Sequence, residues 1–323
     1  MPRTLFRRIL LSLVFALIVY IGFVLWSDWR ALRAALSDFP WLLIPVALLL
    51  TLANYAGRTL KWQWYLRILK VPISRSESTR IFAIAMLMVM TPGKAGEFLK
   101  SYMVKNAVGT PIPVTAPIVL AERLTDGIAM ILLASAGLFA FADVRARLAA
   151  GIVLVGFLIG VTIIQIRPLA LWFLDLAEKL SFVSRFAHHL RELYESSYIL
   201  FGPKRLVISI LWGMLSWVAE TLAYSIILAG FGVTLSLQNL LIGTFIFSIS
   251  SVFGALLATP GGLGAAEGSL VALSEQLLHL GAAPATAAAL LVRFCTLWFG
   301  VAIGVVSFFL WPQLLAGSDK ENL

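Results

Sequence analysis

Thr91-Pro92-Gly93-Lys94-Ala95-Gly96-Glu97 interrupts an apolar run, and much of it recurs downstream as Thr259-Pro260-Gly261-Gly262-Leu263-Gly264-Ala265-Ala266-Glu267. Each copy is followed by an arginine inside a later apolar run: Arg123 lies 26 positions after Glu97, and Arg293 lies 26 positions after Glu267. Arginine is rare within membrane-buried segments, so two breaks with one shared onward spacing point to an internal duplication.

The surroundings of both breaks are those of a polytopic membrane protein. Of 323 residues, 60% are hydrophobic and 13% charged, with a mean hydropathy of +0.95, far from soluble averages. The formal charge of +9 is spread in short basic clusters beside apolar spans. That pattern fits membrane topology and not a nucleic-acid surface. The single cysteine, Cys295, excludes an intrachain disulfide. His188, His189 and His279 lack metal-ligand spacing, and no metal or cofactor is expected.

The apolar runs predict about six transmembrane helices and two re-entrant hairpins. Residues 1–39 form a first helix and loop, with an uncleaved span over 9–26. Residues 40–142 form a first half: a span over 40–57, a cytoplasmic basic loop with Arg58, Lys61, Arg67, Lys70, Arg75 and Arg80, a hairpin over 81–106, and a span over 118–142. Trp62, Trp64 and Tyr65 are expected at headgroup depth. The run 81–90 is too short to cross a core of about 30 Å at about 1.5 Å per residue, so it is read as re-entrant. Residues 143–203 hold a connecting span, 148–166, and an amphipathic segment over 168–198 on the cytoplasmic surface. Residues 204–311 form a second half: spans over 205–231 and 285–311 flanking a hairpin over 240–280, with a polar tail over 312–323.

With both termini inside, four basic residues lie outside (Arg30, Arg33, Arg145, Arg147), Arg123 and Arg293 lie within spans, and the other 19 of 25 face the cytoplasm. Three crossings separate the breaks, so the halves are oppositely oriented and the duplication is an inverted repeat.

Opposed hairpins bring broken helix ends together, an arrangement that secondary transporters use to bind substrate. Proline breaks each helix, and Gly93, Gly96, Gly261, Gly262 and Gly264 allow an anionic group to approach free backbone N–H groups. Lys94 adds a full charge, and a phosphate headgroup or a carboxylate suits the site. Glu97 is expected to pair with Arg123 and Glu267 with Arg293, since unpaired charge in a span costs about 2.5–3.5 kcal/mol or more. Glu122 and Asp126, four apart on one helical face, are placed to share Arg123. Glu220 is a further buried carboxylate of this charge network. No catalytic constellation is visible; Gly261-Gly262-Leu263-Gly264 lacks the preceding strand of a nucleotide loop.

The two break motifs, together with Glu122-Arg123-Leu124-Thr125-Asp126, resemble the signatures of the lysylphosphatidylglycerol synthase transmembrane (flippase-like domain) family, over nearly the whole chain. The resemblance implies an integral protein of the bacterial inner membrane that moves a polar lipid between leaflets through a cavity between inverted halves. Membrane lipids would be its partners, and a lipid-modifying enzyme is a further candidate partner. The sequence departs from the family's pattern in two ways. The soluble aminoacyl-transferase domain is not expected after Trp311, and Lys94 stands where arginine is common, giving a point charge in place of a bidentate clamp. The competing readings are a membrane-embedded enzyme using Glu97 or Glu267 as general base, and a non-catalytic scaffold. The basic flank of the first break favours loading from the cytoplasmic side.

Overall fold

A computed structural model of the chain describes residues 29–91, 96–138, 140, 198–257 and 259–315, with scattered positions at 22 and between 145 and 176. The expected spans 9–26 and 148–166 and the amphipathic segment 168–198 therefore lie outside the described residues or are touched only at single positions. Among the described residues every regular element is helical. The helices are α1 (Trp29–Ser37), α2 (Leu43–Ile68), α3 (Arg75–Met86), α4 (Leu99–Val108), α5 (Ile112–Leu138), α6 (Pro203–Gly230), α7 (Leu237–Leu256), α8 (Ala265–Leu278), α9 (Ala282–Arg293) and α10 (Phe299–Leu310). A 3-10 turn, Leu87–Met90, extends α3, and a π turn, Phe294–Trp298, joins α9 to α10.

Among the described residues, four helical stretches are long and apolar enough to cross a membrane: α2, α6, α7 and the continuous run Ala282–Leu310. The chain is thus an all-α polytopic membrane protein. The stretch expected as the third span is helical through Leu138, as part of the 27-residue α5, which carries Glu122, Arg123 and Asp126. It begins six residues earlier than expected, because Pro117 is accommodated inside the helix and does not bound it. The arm α7, expected as half of a hairpin, has 20 residues and is long enough to cross by itself.

The basic loop expected after residue 57 is largely helix. α2 continues through Arg58, Lys61 and Arg67 to Ile68. Lys61, Trp62 and Tyr65 are fully buried inside the bundle, so none of them is exposed to water or to headgroups. Lys61 and Trp62 find partners inside the bundle, in the Asp126 carboxylate and the Lys100 ammonium. Arg30 and Arg33, expected in a loop, lie on α1, whose Leu32 is buried.

Serine caps start the helix that precedes each break. Ser74 Oγ accepts the Glu77 N–H at 3.1 Å and Ser236 Oγ accepts the Asn239 N–H at 3.2 Å. The first arm, α3 with its 3-10 turn, packs on α10; the second, α7, packs on α5 and on its own return arm α8. The longest crossing is α2 against α6, where Asn54 Nδ2 donates to the Ser216 carbonyl at 2.9 Å. The two breaks touch each other: Met90, Leu263 and Leu297 belong to one small buried cluster.

Two apolar cores lie at opposite ends of α2, α5 and α6. One gathers Ala47, Met130, Tyr224 and Ile227, and the other Leu66, Ile118 and Leu206. Asn54, Arg58 and Lys61 of α2, Glu122, Arg123 and Asp126 of α5, and Ser216 and Glu220 of α6 fall between these ends.

Small residues set the closest approaches. A Cβ on Gly304 of α10 would stand 2.4 Å from the Leu87 amide nitrogen, at the end of the first arm. Backbone cannot yield there as a flexible side chain would. Gly304→Val should therefore destabilise the bundle by about 1–3 kcal/mol or more through overpacking. Thermal unfolding of the purified variant in detergent checks this, and an unchanged Tm would show that α10 does not seat the first hairpin.

Candidate functional site

Between the apolar ends lies a cavity of about 370 Å³, lined in part by Tyr55 and Arg58 of α2, Arg123 and Asp126 of α5, Trp217 and Glu220 of α6, Gly261 and Gly262 of the second break, and Arg293 at the end of α9. The sequence-predicted residues Arg123, Arg293, Gly261, Gly262, Asp126 and Glu220 thus meet around one space.

The second break supplies the sharper geometry. Gly261, Gly262 and Gly264 adopt φ of 63°, 71° and 85°, a left-handed backbone that side-chain-bearing residues rarely take. This is why the sequence is glycine-rich there. Glu267 sits in the first turn of α8 and reaches back: Oε2 accepts the Gly264 N–H at 2.8 Å, and Oε1 accepts Arg293 Nε at 2.7 Å. Arg293 Nη2 donates to the Gly261 carbonyl at 2.5 Å. One carboxylate therefore caps a helix and fixes the guanidinium against the broken backbone.

In the first break, Gly93 and Lys94 lie outside the described residues. Thr91 Oγ1 donates to the Met88 carbonyl at 2.6 Å and accepts the Gly96 N–H at 2.8 Å. A Cβ on Gly96 would fall 2.7 Å from Thr91 Cγ2, so close approach dictates this glycine. Glu97 is buried, and its Oε2 lies 3.2 Å from Arg123 Nε. Both expected carboxylate–arginine pairs form. Gly96, Gly264, Glu97 and Glu267 stand behind the cavity wall rather than on it.

Glu122 does not share Arg123. It pairs with Lys100 of α4, whose ammonium also lies 4.6 Å from the Trp62 ring centre and 5.4 Å from that of Phe82. Residues four apart on α5 share a face, but α4 packs over one turn of it and α2 over the next. Asp126 receives Lys61 Nζ at 2.8 Å, Arg123 Nη2 at 3.4 Å and Arg58 Nε at 3.9 Å. The Arg58 guanidinium lies over Phe82 and Trp217, with ring centres 5.9 and 5.3 Å away.

Arg58, Lys61 and Lys100 were not among the residues expected here, nor was Tyr55, whose hydroxyl donates to the Thr296 carbonyl in the π turn at 2.5 Å. A signal for the cations existed. Glu122, Asp126 and Glu220 were three intramembrane carboxylates with no basic residue of their own, and burial demands partners.

Among the described residues the formal charges of the layer balance, with Arg58, Lys61, Lys100, Arg123 and Arg293 against Glu97, Glu122, Asp126, Glu220 and Glu267. It is polarised all the same. The side chains of Arg58, Arg123 and Arg293, all on the wall, are 17%, 26% and 13% exposed, whereas those of Glu97 and Glu267 are 4% and 0% exposed. Guanidiniums face the cavity and these carboxylates stand behind them. Such a surface presents preoriented donors to an anionic group. Among the described residues, no group of three or more His, Cys, Asp or Glu side chains is placed to hold a metal.

The described helices thus form a membrane bundle around a charged cavity. The chain matches the lysylphosphatidylglycerol synthase TM region over residues 9–304 and belongs to that family. No curated protein matches the chain.

Proposed function

We propose that the protein is a lipid flippase-like transporter of the bacterial inner membrane, with both termini cytoplasmic, that carries an anionic phospholipid or lipid-linked headgroup between leaflets. The observation that carries this reading is the cavity wall of three arginines, with Glu97 and Glu267 buried behind two of them. A volume of about 370 Å³ lies at the small end of ligand pockets, about 300–1,000 Å³, room for a headgroup while the tails stay in lipid. Arg123 and Arg293 contact the phosphate, the Gly261 and Gly262 backbone allows it close, and Lys94 with Gly93 completes the first break. The basic flank of that break favours entry from the cytoplasm.

An inverted repeat of two re-entrant hairpins is part of the proposal. It is supported by the equal 26-residue spacings and by the reciprocal packing in which the first arm of each hairpin lies on the last helix of the other half. The return arms α4 and α8, with 10 and 14 residues, are also too short to cross a core of about 30 Å at about 1.5 Å per residue. Rocking of the halves about the cavity then exposes the headgroup to alternate faces.

Reconstitution in liposomes with labelled phosphatidylglycerol, phosphatidate and an isoprenyl phosphate tests the reading. At least one lipid should move faster than in protein-free vesicles, and Arg123→Ala or Arg293→Ala should slow it by about tenfold or more, the effect of losing 1.4 kcal/mol. If none of these lipids is accelerated, the proposal fails.

A further inference from the structure

The two oxygens of Asp126 are used unequally. Oδ1 accepts Lys61 Nζ at 2.8 Å, and Lys61, 1% exposed, stands off the cavity wall. Oδ2 faces the cavity arginines, with Arg123 Nη2 at 3.4 Å and Arg58 Nε at 3.9 Å. Charge-assisted hydrogen bonds ordinarily run at about 2.7–2.9 Å, so both contacts are slack. Arg293 is the opposite case, held at 2.7 Å by Glu267 and at 2.5 Å by the Gly261 carbonyl. Of the three wall arginines, one is fixed from two sides and two share a loosely held oxygen.

We propose that Asp126 is a resident anion, occupying Arg58 and Arg123 until a phosphate group enters and takes both guanidiniums from Oδ2. Lys61 is the counterion that stays, so Asp126 is not left as a lone buried charge when the arginines leave. Arg58 is built for such a transfer. Phe82 and Trp217 cover its guanidinium, which directs its N–H edges toward acceptors in the guanidinium plane. Arg123 keeps Glu97 as a second partner at 3.2 Å, which holds it at the wall in either state. The arrangement makes Asp126 a competitor for the site and Lys61 the positioning residue that permits its displacement. This inference rests on the cavity binding an anion, as proposed above.

The sign of one substitution separates a competitor from a scaffold. Equilibrium binding of inorganic phosphate and of dihexanoylphosphatidylglycerol to the purified full chain in detergent is measured for wild type, Asp126→Asn, Lys61→Met, the Asp126→Asn/Lys61→Met double variant and Arg293→Ala. Asp126→Asn keeps the shape and removes the competing charge, so Kd should fall by about tenfold, equivalent to 1.4 kcal/mol. Lys61→Met leaves Asp126 to the two arginines alone and should raise Kd. The double variant, which leaves no unpaired lysine to disturb folding, should bind as tightly as Asp126→Asn. Tightening toward both probes assigns the exchange to the phosphate group itself, and tightening toward the lipid alone assigns it to lipid-borne phosphate. Weaker binding by both Asp126→Asn and the double variant, with wild-type binding that Arg293→Ala abolishes, overturns the resident-anion role and leaves the cavity reading intact. Binding of neither probe by any variant overturns both.

Discussion

Glu267→Ala should lower the stability of the protein by about 3–5 kcal/mol, the cost of removing one member of a buried ion pair. Glu267 is fully buried, and its two oxygens hold different things: Oε1 the Arg293 guanidinium at 2.7 Å, Oε2 the Gly264 N–H at 2.8 Å. Alanine leaves a guanidinium that is 13% exposed with the Gly261 carbonyl as its remaining described hydrogen bond, and it uncaps α8. The left-handed glycines, which have no packing side chains of their own, then lose the contact that orders them. Thermal unfolding in detergent should show a large fall in Tm. Glu267→Gln, which retains an acceptor for the cap, should lose less. An alanine variant within about 1 kcal/mol of wild type, as for an exposed pair, would mean that the second break is ordered by apolar packing instead.

Lys100→Met should be nearly as costly, for the same reason in a different place. Lys100 joins α4 to α5 through Glu122 and to α2 and α3 through Trp62 and Phe82, all with little exposure to solvent. Removing the cation strands a buried carboxylate, about 3–5 kcal/mol, and forfeits cation–π contacts worth about 0.5–2 kcal/mol. Lys100→Met/Glu122→Gln should recover most of that loss, because a neutral pair carries no desolvated charge. Equal destabilisation in the single and double variants would show that Glu122 is not charged against Lys100.

The contrast between Lys100 and Arg123 explains how much the sequence discloses. The pairs Glu97–Arg123 and Glu267–Arg293 are legible because the same separation occurs twice in the sequence, and an arginine in an apolar run has few places to go. Arg58, Lys61 and Lys100 are not legible in this way. They sit in basic stretches with Arg67, Arg75 and Lys105, and the rule that places positive charge in cytoplasmic loops treats all of them alike. Only the tertiary neighbours Asp126 and Glu122 distinguish the buried ones from the exposed ones. The same blindness hides that Trp62 and Tyr65 are fully buried inside the bundle. Helix existence was readable from apolar length, whereas the start of α5 was not, because Pro117 is normally a boundary and here lies within the helix.

The first hairpin arm rests on α10, a helix that begins about 200 residues later in the chain. During synthesis, α3 therefore emerges long before the surface it packs on exists, while α7 meets α5 already made. The two breaks are alike in sequence but differ in their history: the helix before the first must wait for α10. A chain stopped before residue 299 lacks the helix that seats its first break, so that break packs only once α10 has been made.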